Sequence, residues 1–157
     1  MKPIYLVSAC LVGLNTRYDG TSVLDLELME LMKEGRAIPV CPEQLGGLKT
    51  PRCPSEIQGG HGQDVLCGKA RVFNNDGEDA TDSFIKGAKE ALKLAETVNA
   101  EGAILKARSP SCGVHFIYDG TFQSNLIPGS GVTAALLHQA GFKLFDENTW
   151  KDKSRKS

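Results

Sequence analysis

Four short apolar runs constrain this chain more than any other feature: "IYLVSA" (Ile4 to Ala9), "AIPV" (Ala37 to Val40), "AILK" (Ala103 to Lys106) and "FKLF" (Phe142 to Phe145). They are continuous rather than alternating, so a strand built from any of them needs apolar cover on both faces. Helical patterns between them supply that cover. "SVLDLELMELMKEG" opens with Ser22 and Asp25 at capping-box spacing, sets Leu24, Leu28, Leu31 and Met32 on one face and closes at Gly35. "TDSFIKGAKEALKLAETVNA" predicts a second helix, capped by Thr81 or Asp82, with Phe84, Ala88, Leu92 and Ala95 near helical period. "SGVTAALLHQAG" predicts a third, capped by Ser130 and stopped by Gly141. Strands alternating with helices imply right-handed crossovers and an α/β fold: an open Rossmann-like sheet, mainly parallel, with helices on both faces.

Two excursions interrupt that plan. Residues 44–80 read as a Gly- and Pro-rich loop, then a strand in "VLCGKARVF" leading to an Asn-Asp-Gly turn, a small antiparallel addition. "VHFIYDGTF" reads as a second hairpin. The tetrapeptide "YDGT" occurs at Tyr18 to Thr21 and again at Tyr118 to Thr121, each time shortly after a cysteine. Asp-Gly is a preferred turn pair, so the echo is read as turn chemistry, with both copies able to line one mouth. At 157 residues and 41% hydrophobic content the chain can bury one sizeable core. One domain is expected over residues 1–150, with a solvated, disordered basic tail, "KDKSRKS", at 151–157.

A net charge of −1 and a pI near 6.3 lack the basic footprint of a duplex-binding protein and suit a small neutral substrate. No apolar run approaches a membrane span, and the apolar part of "MKPIYLVSACLVG" reads on into polar sequence. The expectation is a cytoplasmic protein with no membrane or duplex nucleic-acid partner, a monomer or weak homodimer. The five cysteines, Cys10, Cys41, Cys53, Cys67 and Cys112, are odd in number and dispersed, which argues against a disulfide framework.

Three of the five fall at corresponding places. Cys10 follows the first strand, Cys41 follows the second, and Cys112 sits in the loop "ARSPSCG" after the third. Parallel strands present their carboxyl ends at one edge, and that edge carries the ligand crevice. With the strand order second, first, third, Cys10 is central and the other two flank it at strand spacings of about 4.8 Å. Any single cysteine is more often a buried filler, but three in register are not well explained that way. Zinc sites favour paired Cys-x-x-Cys or Cys/His clusters. The chain has no Cys-x-x-Cys, and His61, His115 and His138 fall in a glycine loop, a strand and a helix. Three thiolates suit a [4Fe-4S] cluster whose fourth iron lacks a protein ligand and is open to a substrate atom.

Around these thiols, "CPEQLGG" puts Glu43 two residues after Cys41, where a partly buried carboxylate can act as a general base. "SPSC" supplies Ser109 and Ser111, either of which can orient a substrate or simply bond its own turn. Arg17, Arg52 and Arg108 are candidate binders of a polar substrate, though lone arginines are usually solvated and carry little weight here.

"VSACLVG", "RYDG", "VCPEQLGGLKTPR", "GKARV", "ILKARSPSCG", "IYDGTF" and "PGSGVTAALL" occur in that order, and with them the chain resembles the short, single-domain thiouracil desulfidase family over nearly its whole length. The resemblance implies a [4Fe-4S] cluster bound through Cys10, Cys41 and Cys112, and a small thiolated pyrimidine as substrate. It implies that the substrate sulfur binds the open iron, that water attacks the thiocarbonyl carbon, and that C–S cleavage leaves sulfide on the cluster. Glu43 is then the group that activates water or shuttles a proton, with Ser109 or Ser111 as its partner. The chain departs from the family at "TPRCPSE", where Pro is expected in place of Cys53. Cys53 is read as incidental, and Cys67, inside an expected strand, as packing. Two other readings compete: a non-catalytic zinc- or nucleotide-binding module recognising modified RNA components, and a cluster-free redox-sensing cysteine protein. Glu43 beside Cys41 favours the enzyme, and the lack of Cys-x-x-Cys counts against both zinc and dithiol exchange.

Overall fold

Parallel pairing of four short strands sets the frame of the computed structural model, which describes residues 2–151. In chain order the elements are β1 (Tyr5–Ser8), a 3-10 turn (Ala9–Val12), α1 (Leu26–Lys33), β2 (Ala37–Val40), α2 (Pro42–Leu45), β3 (Ser55–Gln58) and α3 (Gly62–Leu66). There follow β4 (Arg71–Asn74), α4 (Thr81–Thr97), β5 (Gly102–Leu105), β6 (Phe116–Tyr118), β7 (Leu126–Pro128), α5 (Val132–Gln139) and β8 (Lys143–Asp146). The central sheet runs β2-β1-β5-β8 with every pair parallel, so the expected order of the first three strands holds. The expected tail lies outside the described residues beyond Lys151.

Alternation along each strand divides the core. Tyr5, Val7, Ile104 and Phe145 point to the face covered by Leu28 and Leu31 of α1, whereas Leu6, Ala103 and Leu105 point to the face covered by Ala91 and Ala95 of α4 and Ala134 and Leu137 of α5. Both faces are apolar, which is why β1 and β5 read as unbroken hydrophobic runs: every residue in each is buried. A third apolar cluster, including Ile57, Val72, Phe84 and Ile117, packs the antiparallel excursion against α4.

The helices form where expected, but their caps differ. Asp25, not Ser22, caps α1, accepting from the N–H groups of Glu27 and Leu28 at 3.0 and 3.2 Å. Leu24 consequently lies ahead of the helix and is exposed. At α4 the N-cap position is Ala80; Asp79 accepts from the Thr81 N–H at 2.8 Å, while the Thr81 hydroxyl turns inward to accept from Val72 N at 2.9 Å. At α5 the cap position is Gly131 rather than Ser130, and the first-turn N–H groups are satisfied from outside the helix. Val132 N donates to Pro110 O at 2.9 Å, and Thr133 N and Ala134 N donate to Ser111 O at 2.9 and 3.1 Å. The loop before Cys112 is thus seated on the start of α5, so closely that a Cβ on Gly131 would come within 2.5 Å of the Ser111 carbonyl carbon.

The excursion departs further from expectation. β3 pairs antiparallel with β4, but "VL" of "VLCGKARVF" closes the short helix α3, and Cys67 is its exposed C-cap rather than a packed strand residue. A run of only two apolar residues before Cys-Gly is too short to hold a strand against that turn. "VHFIYDGTF" supplies one strand of its hairpin, β6; the partner β7 comes later in the chain, and His115 lies just ahead of β6.

Candidate active site

The carboxyl ends of β1, β2 and β5 open into a cavity of about 530 Å³ whose lining includes Cys10, Cys41 and Cys112. Cys10 sits in the turn that follows β1, and Cys41 is the residue joining β2 to α2. Cys112 ends the loop braced on α5. Glu43, on the first turn of α2, reaches the same cavity because α2 lies hard against α4: a Cβ on Gly46 would fall 1.9 Å from Ser83 O, and one on Gly87 1.9 Å from Pro42 O. Only glycine at both crossings permits that approach.

A hydrogen-bonded chain connects the polar groups. Arg52 Nε donates to Glu43 Oε1 at 3.0 Å, and Ser111 Oγ donates to Glu43 Oε2 at 3.0 Å. The side chains of Arg52 and Glu43 are only 9% and 14% exposed, so the ion pair is largely withdrawn from water. Arg52 also donates to Thr50 Oγ1 at 2.7 Å and Thr16 O at 2.9 Å, and lies 3.9 Å from Cys41 Sγ. The two serines separate by function in the loop. Ser109 Oγ accepts from the backbone N–H groups of Ser111 and Cys112 at 3.1 and 3.0 Å, which is turn chemistry. Ser111, 1% exposed, stands between Glu43 and Cys112 Sγ, which it meets at 3.7 Å. Ser109 Oγ is 3.0 Å from Ser111 Oγ.

Burial dominates the thiols. It pushes the Cys10 thiol up to about 11, against the opposing pull of Lys106 and Arg17. It pushes Cys112 up to about 12, against hydrogen bonds with Ser8 and Ser111, and raises Cys41 as well. Thiols held in that way are poor nucleophiles at neutral pH and unlike the low-pKa, accessible cysteines of redox sensors. A bound metal group would instead displace their protons. Cys53 and Cys67 lie elsewhere: Cys53 Sγ contacts Asp76 Oδ2 at 3.2 Å, Cys67 is exposed, and neither lines the cavity. All five cysteines are free.

Several lining residues carry more than the sequence suggested. Arg52, given little weight as a lone arginine, is the hub that orients Glu43. Lys106, the last residue of "AILK", is paired with Glu147 at 3.0 Å beside Cys10. The strand-end reasoning that singled out the cysteines applies equally to Lys106, whereas nothing in the spacing from Cys41 to Arg52 reveals their contact. Arg17 and Arg108 line the mouth, Arg17 stacked 5.8 Å above the Tyr18 ring. A larger hollow of about 740 Å³, lined by His61, His138 and Lys143 among others, has no cysteine in its wall, and the reactive groups converge on the smaller one.

The family model of 2-thiouracil desulfurase matches residues 5–149. The chain belongs to the 2-thiouracil desulfurase family. It is 49% identical over 147 residues to the uncharacterized protein YbbK of Bacillus subtilis (strain 168), a match covering 94% of this chain and 97% of that relative. Among solved structures it is similar to the [4Fe-4S]-dependent thiouracil desulfidase TudS (DUF523Vcz), with a TM-score of 0.87 and 39% identity over 99% of this chain and 97% of that one. The cavity and its three strand-end cysteines lie within the span that matches the 2-thiouracil desulfurase family, so the fold and family expectations hold together.

Proposed function

We propose that the chain removes sulfur from thiouracil or a related thiolated nucleobase, exchanging thiocarbonyl for carbonyl with one water and releasing sulfide. The observation that carries this reading is that Cys10, Cys41 and Cys112 share one cavity with the linked pair Glu43 and Ser111. Similarity to a [4Fe-4S]-dependent thiouracil desulfidase supports the same chemistry. The three thiols fit such a cluster by donor type and by lining one cavity. Among the described residues no group of three or more His, Cys, Asp and Glu side chains converges as a single ion requires. When bound, the cluster supplies a Lewis-acidic iron with affinity for the substrate sulfur.

The chain's own residues do the rest. Arg52 fixes Oε1 of Glu43, so Oε2 is the oxygen presented toward the cavity, where it accepts the proton of the attacking water. Ser111, hydrogen-bonded to that oxygen and 3.7 Å from Cys112 Sγ, relays a proton from Glu43 toward the departing sulfur. Ser109 holds the loop through its two backbone bonds and takes no proton-handling role. The reaction needs no external oxidant, because water supplies oxygen and sulfide leaves at the same oxidation level. The substrate is small, with neither duplex nucleic acid nor membrane as partner. Residues 1–150 act as one cytoplasmic domain, a monomer or weak homodimer. Among the described residues no helix is long and apolar enough to cross a membrane.

Purification without oxygen, reconstitution with iron and sulfide, and assay of sulfide release from 2- and 4-thiouracil test the reading. A brown protein that turns over either base is expected. A colourless protein with stoichiometric zinc, or a brown one silent toward both, overturns it.

A further inference from the structure

The two "YDGT" turns are built alike. Asp19 Oδ1 accepts from Thr21 N at 3.1 Å and from its hydroxyl at 2.5 Å; Asp119 Oδ1 accepts from Thr121 N at 3.0 Å and from its hydroxyl at 2.6 Å. Tyr18 and Tyr118 both line the thiol cavity. The copies part at the next residue: Ser22 follows the first and Phe122 the second. An aromatic residue is therefore not demanded by the turn.

Phe122 is held at φ +58°, a left-handed conformation uncommon for a bulky side chain. Glu56 fixes it there, with one oxygen accepting from both Gly120 N at 2.9 Å and Phe122 N at 3.1 Å. Phe122 joins Tyr118 in the wall of the cavity. Strain at a ligand clamp persists where surrounding structure over-determines it, and here a carboxylate bonded to two amides does so. Tyr18, by contrast, is already engaged by the Arg17 guanidinium.

We propose that Phe122, with Tyr118 beside it, is the base-recognition element of this site: the aromatic face against which a planar thiolated heterocycle stacks while its sulfur is directed toward the cysteines. The inference rests on the desulfidase reading for its substrate. Glu56 is a positioning residue, acting through the loop backbone. Stacking is tolerant of ring substituents, so 2- and 4-thiouracil share this contact.

The decisive variant is Phe122→Asn. Asparagine accepts left-handed backbone better than phenylalanine, so the fold is not weakened and the thermal midpoint stays level or rises. In reconstituted holoenzyme, KM for thiouracil is expected to rise about tenfold or more, with a much smaller change in kcat. Calorimetric titration of the same holoprotein with uracil, which cannot be desulfurised, should show binding weakened by a similar factor. Phe122→Tyr should restore both. If KM and uracil affinity of Phe122→Asn stay within about twofold of wild type, the assignment is wrong although the desulfidase reading stands. If wild type releases no sulfide yet binds uracil through Phe122, the reverse holds. Loss of both turnover and uracil binding in wild type overturns both.

Discussion

The carboxyl edge of the parallel sheet and the antiparallel excursion of residues 55–80 each carry cysteine and an Arg–carboxylate pair, yet the two regions use them differently. At the sheet edge Cys10 and Cys112 are buried and Cys41 is half-buried around one cavity, and Arg52 and Glu43 are joined where solvent barely reaches. In or beside the excursion, Cys67 is exposed and Cys53 sits against Asp76, while Arg71 and Asp79 are paired with side chains 55% and 37% exposed. Residue type is the same in both. Topology decides the outcome, because parallel strands deliver distant segments to one covered edge, whereas a hairpin exposes whatever its turns carry.

The sharpest way to break this contrast is by cysteine replacement. Cys10→Ser, Cys41→Ser or Cys112→Ser should each abolish stable cluster binding, read as lost visible absorbance and iron content after reconstitution. Cys53→Ser and Cys67→Ser should keep both, and bleaching by Cys53→Ser alone would overturn the ligand assignment. Next in size, Glu43→Gln should lower kcat by about 10²- to 10⁴-fold with iron content unchanged, the usual range for removing a general base. Retention of activity would remove Glu43 from proton transfer.

The two ion pairs should also behave unequally. Arg52→Met leaves a buried carboxylate without its partner and should destabilise by about 3–5 kcal/mol, whereas Arg71→Met on the exposed, solvent-screened pair should cost far less. Denaturant unfolding of both variants measures the difference, and equal losses would erase the distinction between the regions. Between the serines, Ser111→Ala should chiefly lower kcat. Ser109→Ala, which frees two backbone donors, should chiefly lower stability, by about 1 kcal/mol.

The smallest effect concerns pH. The hydrogen bond from Arg71, with those from Thr81, holds the Asp79 carboxyl down to about 2 from its ordinary 3.8. Because the folded value is the lower one, the pair's contribution is complete above about 4 and is lost as pH falls toward 2. Solvent screening keeps it small. Removing it with Arg71→Met should flatten the acid limb of the stability curve slightly, and an unchanged limb would show that the pair contributes nothing.

Much of this was legible in residue order. "IYLVSA", "AIPV", "AILK" and "FKLF" specify strands because continuous apolar runs need cover on both faces, and the helical runs between them provide it. The same logic placed Cys10, Cys41 and Cys112 at strand ends, since a strand's carboxyl end is fixed once direction and parallel pairing are. Caps were less legible. Ser130 has the right chemistry for α5, but Pro110 O and Ser111 O reach those N–H groups first, from a loop far enough away in sequence to leave no local trace.

What the sequence determined by itself is the sheet, the period and length of its covering helices, and the alignment of three thiols, all consequences of local pattern and strand polarity. What only the tertiary structure decided is the wiring of the polar groups. Ser109 and Ser111 are indistinguishable in "SPSC"; one bonds its own turn and the other meets Glu43, across 68 positions of sequence. Arg52 becomes the holder of Glu43 because α2 is pressed onto α4 at paired glycines. Phe122 becomes a wall of the cavity because Glu56 pins its loop. Hydrogen bonds act over about 3 Å, so partners remote in sequence are known only when packing has brought them together.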